Sequence, residues 1–470
     1  MKKIIIAVAG LLLFAVLALP FFGAYKTEQT FNHWIAQVNR MGAYDLQWES
    51  YDKGWLQTHA VLKVGLKPGV MPIPLLEEQE TTWYLPLNLK LNHGPVLWLD
   101  GVRLGWFSGD FYLSEQHEVW VEKNLQKEGE GHFFVSEVYM NLLGDTTLQD
   151  HSLPFRFTTA AGETIQASEY SGAGKITRAG VVEYSGKLPA FTVTGGEVSE
   201  ASMEDLLFRI HSDMGRRVGE YVIPGNGEFF IKKIAVKGSE EVSFTLTDLL
   251  ITSDMQLNDD QTLADMKIKM AFASMDVLGE QISKAKLDFD FANISTVFLD
   301  QYLATVQDAY DDQGEINPML AMEMMGMVME HLIPAGPKLN IHAFTFTTPE
   351  GSLEFDGQLA IAPEAAQQGG NPMAIFSQLA LDASLLVDKP LAFRLMRQST
   401  MRNLNAAQFE GGNQMTDTEK EALADNQTHM QLDTLTLQGM LIDKGEHYAS
   451  EFHFKDGRAV LNGQAIPLPF

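Results

Sequence analysis

Hydrophobic and polar residues alternate with a period of two along much of the chain. The run "VSFTLTDLLIT" places Val242, Phe244 and Leu246 on one face, "MKIKMAFA" does so with Met266, Ile268, Met270 and Phe272, and "AKLDFDFA" with Leu287, Phe289 and Phe291. Similar runs are Ala343 to Thr347, Leu353 to Ile361, Leu432 to Leu437 and Glu451 to Phe454. This pattern predicts strands with one polar and one buried face. Breaks such as "SGAGK", "TGGEV", "PEGS" and "KDGR" are typical of hairpin turns, so we expect antiparallel meanders.

Helical spacing interrupts the strands in several places. Phe31, Trp34, Ile35 and Val38 follow the i, i+3, i+4, i+7 pattern of an amphipathic helix that ends near Gly42. Further helices are predicted over Met203 to Val222, Ser295 to Asp308, Pro318 to Leu332, Pro390 to Leu404 and Thr416 to Asn426. The last begins with a capping box, Thr416 and Glu419.

An uncharged apolar run occupies the start of the chain. It extends from Ile4 to Tyr25 behind Lys2 and Lys3, and at the helical rise it is long enough to cross a bilayer. A cleaved signal peptide is the alternative, but its best site, Phe22-Gly23-Ala24, puts a bulky residue where a small one is needed. We therefore expect a single-pass anchor with a cytoplasmic N-terminus, and a periplasmic location for the rest of the chain.

These patterns predict a mostly β fold with interspersed helices (α+β), built as an extended, curved, antiparallel, amphipathic sheet behind the transmembrane helix. The expected regions are residues 1–25 as anchor, 26–294 as a β-rich region and 295–470 as helices plus hairpins, with a soft boundary near Ser295. The segments Lys338 to Ile361 and His429 to Ile466 resemble each other, which suggests an internal duplication.

Charge and composition exclude several classes of function. The net charge of -27 argues against nucleic-acid binding, because a phosphate backbone repels a surplus of carboxylates. The absence of cysteine excludes disulfides and thiolate sites. We find no nucleophile elbow, zinc-protease helix, phosphate loop or dinucleotide fingerprint, so an enzyme is the last-ranked class and no cofactor is expected.

Candidate metal ligands lack the spacing that a metal site requires. Asp288 and Asp290 lie on the polar face of a predicted strand, and a solvated face explains them better than a cation site or an acid/base pair. His447 and His453 flank a predicted hairpin without a third ligand, whereas zinc needs three or four protein donors. No metal site is therefore predicted.

One helical stretch is rich in methionine: Met319, Met322, Met324, Met325, Met327 and Met329. Thioether sulfur can bind copper(I), and flexible methionine chains can also form an adaptable surface for lipid tails or varied partners. A helix buried against the sheet is the third interpretation. The candidate site residues are these methionines, as an apolar ligand or partner surface.

Three short motifs resemble the YdgA-like proteins of Gram-negative bacteria, a family of unknown function. They are Tyr51-x-x-Gly54-Trp55, "LNHGPVLWLDG" with His93, Gly94 and Pro95, and "FKDGRAVLNGQAIPL" with Asn462 and Gly463. The resemblance implies an inner-membrane-anchored, periplasm-facing protein and provides no catalytic residues. The chain is more loosely similar to AsmA-like envelope proteins, which implies an elongated half-open sheet with an apolar trough for lipids.

Tyr51, Gly54 and Trp55 have two interpretations. They form a structural corner with half-buried aromatics, or they contact lipid headgroups close to the membrane. For the whole chain, we expect a protein that binds apolar or lipid-like molecules such as phospholipid in envelope maintenance. The alternative is a scaffold with a closed core that self-associates, for example as a homodimer.

Overall fold

A computed structural model describes residues 20, 22–36, 38–39, 44–66, 83–99, 101–159, 162–195, 198–238, 243–307, 320–363, 378–409 and 416–467. The chain divides into two compact units. The first comprises Met1–Glu240 and Leu299–Met322, and the second comprises Glu241–Phe298 and Glu323–Phe470.

The first unit is an antiparallel sheet with one helix on its face. Its helices are α1 (residues 22–36 and 38–39) and α2 (Glu115–Asn124), and its strands are β1 (Tyr44–Lys53), β2 (Gln57–Leu66), β3 (Trp83–His93), β4 (Val96–Leu99), β5 (Gly101–Leu113), β6 (Leu125–Lys127), β7 (Phe134–Asn141), β8 (Thr146–Ser152), β9 (Phe155–Thr158), β10 (Thr164–Ala167), β11 (Tyr170–Ile176), β12 (Val181–Gly195), β13 (Val198–Asp213) and β14 (Gly225–Lys237). The pairing order is β1-β2-β3-β5-β7-β8-β11-β12-β13-β14. Strand β4 pairs with β5, and the far half of β12 pairs with β10, which continues to β9 and β6.

The second unit is a meander. Its strands are β15 (Ser243–Leu257), β16 (Leu263–Val277), β17 (Glu280–Ser295), β18 (Lys338–Thr348), β19 (Gly351–Ile361), β20 (Leu379–Asp388), β21 (Ile442–Asp443), β22 (His447–Lys455), β23 (Arg458–Leu461) and β24 (Gln464–Ile466). They pair in chain order except that β20 pairs with β22, and β21 lies on the end of β22. Helices α5 (Lys389–Phe409) and α6 (Asp417–Leu437) lie between β20 and β21, while α3 (Thr296–Gln307) and α4 (Leu320–Met327) each contribute residues to both units.

This architecture confirms the predicted mostly β fold with antiparallel pairing and a few helices. Among the described residues, neither unit closes its sheet into a barrel. The amphipathic helix predicted around Phe31 is α1, and it packs on the part of the first sheet that begins at β1. Its Phe31 packs on the inward side chains of β2, β3, β5 and β7, among them Leu89, Leu91 and Phe107. The inward-facing residues of these alternating strands therefore form the core around Phe31 in the first unit.

Two predicted elements have the wrong secondary-structure type. Met203 to Val222, predicted as a helix, lies largely in β13, because its backbone pairs with both β12 and β14 and the positive φ of Asp205 interrupts the period of two. Leu432 to Leu437, predicted as a strand, ends α6. The second of the two similar segments therefore starts inside a helix, whereas Lys338 to Ile361 is a hairpin.

The "SGAGK" run is also not a turn. It forms the middle of β11, paired on both sides. A β-carbon on Gly172 would lie 2.2 Å from the hydroxyl oxygen of Tyr184. The glycines here make room for aromatic rings on the neighbouring strand, which explains why a turn-like sequence occurs inside a sheet.

The expected membrane anchor is mostly outside the described residues. Of Ile4 to Tyr25, only residues 20 and 22–25 are described, and residues 22–25 are helical. Among the described residues, no helix is both long enough and apolar enough to span a membrane.

Candidate functional site

A buried histidine lies between α1 and the first sheet. His93, at the end of β3, is 3 % exposed. Its Nδ1 lies 3.2 Å from Thr27 Oγ1, and its Nε2 lies 2.8 Å from Thr58 Oγ1. We call Thr27, Thr58 and His93 the histidine junction.

The hydrogen bonds of Thr27 indicate which histidine tautomer is present. The Thr27 hydroxyl donates its single proton to Gly23 O over 2.7 Å, so it accepts from Nδ1–H of His93. Thr58 then donates to Nε2. Burial and the nearby positive charge of Lys53 lower the pKa of His93 to about 4. The ring is therefore neutral at pH 7, with both nitrogens paired.

Close backbone contacts fix the surroundings of the histidine junction. Gly94, which precedes Pro95 through a cis peptide bond, donates its N–H to Trp106 O over 2.8 Å. A β-carbon on Gly94 would lie 1.6 Å from Gly105 O, and one on Gly23 would lie 3.1 Å from Trp106 O. Only a glycine therefore fits at position 94.

The Tyr51 motif borders the same junction. Tyr51 packs edge-to-face on Trp48 with ring centroids 5.0 Å apart, and burial together with the charge of Glu28 raises its pKa to about 12. In the same motif, Lys53 forms a 2.7 Å ion pair with Glu28. A β-carbon on Gly54 would lie 2.1 Å from Gln57 O, so the turn between β1 and β2 also requires glycine. Trp55 in this turn is exposed.

The structure thus brings Tyr51, Gly54, His93, Gly94 and Pro95 into one region. Thr27 and Thr58 were not predicted as site residues. The available signal was Thr27 itself, a polar residue on the apolar stripe of α1 between Ala24 and Phe31, both of which are buried.

Asn462 and Gly463 lie in the second unit. They occupy the two-residue turn between β23 and β24 with φ values of 51° and 80°, as a type I′ hairpin requires. The Asn462 side chain donates to Gly439 O over 2.7 Å and accepts from the Glu451 N–H. This motif therefore holds the turn against the end of α6.

The methionines differ widely in exposure. Met319 and the side chain of Met322 are outside the described residues. Met325 is well exposed and Met327 is buried, while Met324 and Met329 are half-buried. After α4 the chain continues as a π turn, Val328–Leu332, which contacts β17.

The polar candidates pair with their neighbours. Asp288 lies between Lys269 and Lys286, and Asp290 accepts from Asn340 over 2.7 Å. His447 pairs with Asp388, and His453 with Asp382. No group of three or more possible metal ligands is clustered in the part of the chain that the structure describes.

A continuous apolar face crosses the second unit. In an antiparallel sheet, directly paired residues point to the same side. One row of paired residues across six strands is Met266, Phe291, Leu339, Leu359, Leu381 and Phe454, and a second row is Met270, Leu287, Phe344, Phe355 and Leu385. We call these two rows the apolar face. Asp290, Asn340, Gln358 and Asp382 form a matching row on the opposite, polar side.

In the part of the chain that the structure describes, helix α5 covers one end of this side of the sheet. Its Leu391 and Ala392 pack with Val387, in contact with Phe346 and Leu353. Beyond that end, Met270, Phe291 and Phe344 keep 37–41 % of their surface exposed. A cavity of about 370 Å³, lined in part by Ile361 and Leu379, lies at the other end of the strands.

A family model described as "Bacterial protein of unknown function (DUF945)" matches residues 1–469. No curated protein and no solved structure matches the chain.

Proposed function

The chain belongs to DUF945, a family of bacterial proteins of unknown function, and on that premise we propose that it binds apolar or lipid-like molecules, such as phospholipid, on the apolar face of its second unit. The observation that carries this proposal is the exposure of Met270, Phe291 and Phe344 within two unbroken rows of apolar side chains. A contiguous exposed apolar surface of this kind typically marks a binding site.

The acyl chain of a lipid suits this face chemically. Its side chains are methionine, leucine and phenylalanine, which offer no directional hydrogen bonds, and each 100 Å² of apolar area removed from water contributes about 2.5 kcal/mol. The opposite face is charged, so a lipid would bind to one side only. We propose a role in envelope maintenance, because a lipid-binding protein in the bacterial cell envelope would act on the lipids of that envelope.

The proposed location is the inner membrane. Lys2, Lys3 and the uncharged run Ile4 to Tyr25 support a single-pass anchor with a cytoplasmic N-terminus and a periplasmic remainder. The sequence resemblance to YdgA-like proteins supports the same topology, and the looser likeness to AsmA-like envelope proteins supports an open trough for lipid. The second candidate function is a scaffold, favoured by α5, which closes one end of the sheet.

Native mass spectrometry with lipid extraction tests the proposal. Full-length protein in mild detergent is expected to retain phospholipid in a stoichiometric amount. Phe344→Glu places a carboxylate on the apolar face and should reduce the retained lipid at least tenfold, because a charge against acyl chains is costly. The control, Gln358→Glu, adds the same charge to the polar face of β19 and should retain lipid as the wild type does.

Two outcomes would overturn the proposal. In one, delipidated protein takes up no lipid from added phospholipid. In the other, Phe344→Glu and Gln358→Glu retain equal amounts. A lipid-free protein that forms stable dimers would favour the scaffold.

A further inference from the structure

Exposed apolar side chains concentrate at one end of the first unit. They come from two turns, from the β4–β5 hairpin and from the start of α1, and each is between 41 % and 72 % exposed. On a water-soluble surface such residues are normally scattered singly. Their concentration at one end requires an explanation.

The first group surrounds the start of α1. Phe22 and Tyr25 are exposed on the helix, and Trp55 and Leu56 are exposed in the turn between β1 and β2. The turn lies beside the histidine junction, because the backbone N–H of His93 donates to the backbone carbonyl of Leu56 over 2.8 Å. Lys53 lies over the Tyr25 ring, 5.4 Å from its centroid.

The second group lies on the β4–β5 hairpin and the adjacent turn between β7 and β8. Val96 and Leu104 are directly paired across the hairpin, and Val102 precedes Leu104 by two residues on the same side. Leu142 and Leu143 form the tip of the β7–β8 turn, held to β5 by a 3.1 Å bond from Trp106 Nε1 to Leu142 O.

Backbone contacts show that the two groups are neighbours. Gly23, next to Phe22, packs on both Gly94 and Trp106. Gly105, next to Leu104, donates its N–H to Pro95 O over 3.0 Å. The start of α1, the β1–β2 turn and the β4–β5 hairpin therefore form one surface, which we call the loop-end surface.

The sequence that precedes α1 indicates what covers the loop-end surface. The residues that precede Phe22 belong to the uncharged apolar run that starts at Ile4. Because Gly23 fixes the start of α1 on the sheet, a membrane-inserted run would hold the loop-end surface at the bilayer. The surface has the composition of a membrane interface, because Lys53 lies over the Tyr25 ring, Arg103 lies over the Tyr139 ring, and Trp55 follows Lys53 by two residues.

We propose that the loop-end surface of the first unit inserts into the headgroup and upper acyl region of the bilayer that holds the N-terminal segment. This inference rests on the anchor in the proposed function, but not on lipid binding by the second unit. The β4–β5 hairpin and the Leu142–Leu143 tip act as additional membrane contacts, which fix the orientation of the first unit on the membrane.

The absence of cysteine allows a direct test. Leu143→Cys and Val102→Cys are each labelled with an environment-sensitive nitrobenzoxadiazole fluorophore in the full-length protein. The matched control is Val119→Cys, an apolar position of similar exposure on α2. Helix α2 follows the other end of β5, roughly 40 Å along the strand at 3.3 Å per residue.

The labelled proteins are reconstituted into phosphatidylethanolamine–phosphatidylglycerol vesicles with and without nitroxide-labelled lipid. At positions 143 and 102 we expect blue-shifted emission and at least twofold stronger quenching by shallow nitroxides than at position 119. Equal quenching at all three positions would overturn the inference. So would labels that are shielded from aqueous iodide but not quenched by lipid, because the N-terminal segment or a second copy would then cover the surface.

Flotation of the same vesicles tests membrane attachment by the anchor independently of insertion by the loop-end surface. If the protein does not float with the vesicles, the anchor and this inference both fail. If it floats while the labels at positions 143 and 102 remain in water, only this inference fails.

Discussion

Thr27 Oγ1 lies 3.2 Å from Nδ1 of His93, so a buried imidazole connects the first helix to the C-terminal end of β3. Thr58 completes the contact on the other ring nitrogen. Since α1 directly follows the proposed anchor, this junction holds the first sheet at a fixed position relative to the start of the helix.

The stability of the first unit is expected to depend on pH through His93. Its pKa is lowered from 6.5 to about 4 in the folded protein, so the unfolded state binds a proton more readily. The stabilisation of the folded state by neutral, buried His93 is complete above pH 6.5. As the pH falls from 6.5 toward 4, the free energy of unfolding decreases by about 3 kcal/mol in total. Urea unfolding followed by tryptophan fluorescence measures it, because all seven tryptophans lie in the first unit. His93→Gln should remove this pH dependence, whereas His59→Gln, at an exposed position on β2, should preserve it.

The hydroxyl groups of Thr58 and Tyr51, which lie near His93, should contribute differently to the free energy of unfolding. Thr58→Val leaves the buried Nε2 of His93 without its donor and should lower the free energy of unfolding by about 1–3 kcal/mol. The Tyr51 hydroxyl is buried beside Thr58 without good hydrogen-bond geometry among the described residues, so Tyr51→Phe should cost less stability than Thr58→Val. Denaturant midpoints at pH 7.5 compare the two variants. Equal losses would show that Tyr51 makes a contact through its hydroxyl.

Gly94 is expected to tolerate no side chain. In Gly94→Ala the new β-carbon would meet Gly105 O at 1.6 Å, which forces backbone movement and should cost about 3 kcal/mol or more. Gly326→Ala in α4 is the control, because its β-carbon meets nothing within 4 Å and alanine favours a helix by up to about 1 kcal/mol. Thermal unfolding followed by circular dichroism should show a large loss for the first variant and none for the second.

Local patterns predicted much of the fold. The capping box of Thr416 and Glu419 begins α6 as expected, since both of its hydrogen bonds are formed within four residues. The "KDGR" run forms the predicted hairpin turn between β22 and β23, because Asp456 and Gly457 both tolerate positive φ. The alternation in β16 and β17 places their apolar residues on one face.

The errors occur where tertiary contacts outweigh a local pattern. The spacing of Leu206, Leu207 and Ile210 is helical, yet pairing with β12 and β14 makes this segment a strand. "SGAGK" has turn composition, yet its glycines accommodate the Tyr184 ring. In both cases the deciding partner lies on another strand, outside any local window.

The sequence by itself determined the mostly β, antiparallel class, the position of most of the predicted helices and the two faces of the alternating strands, because these depend on side-chain spacing along the backbone. Only the tertiary structure decided that Thr27 and Thr58 both meet His93, since residues 66 and 35 positions apart come together through the docking of α1 and the pairing of β2 with β3. It also decided which apolar residues remain exposed. Trp55, Leu104 and Leu143 have the same chemistry as core residues, and they are exposed because they lie in the β1–β2 turn, on the β4–β5 hairpin and in the β7–β8 turn, outside the core around Phe31.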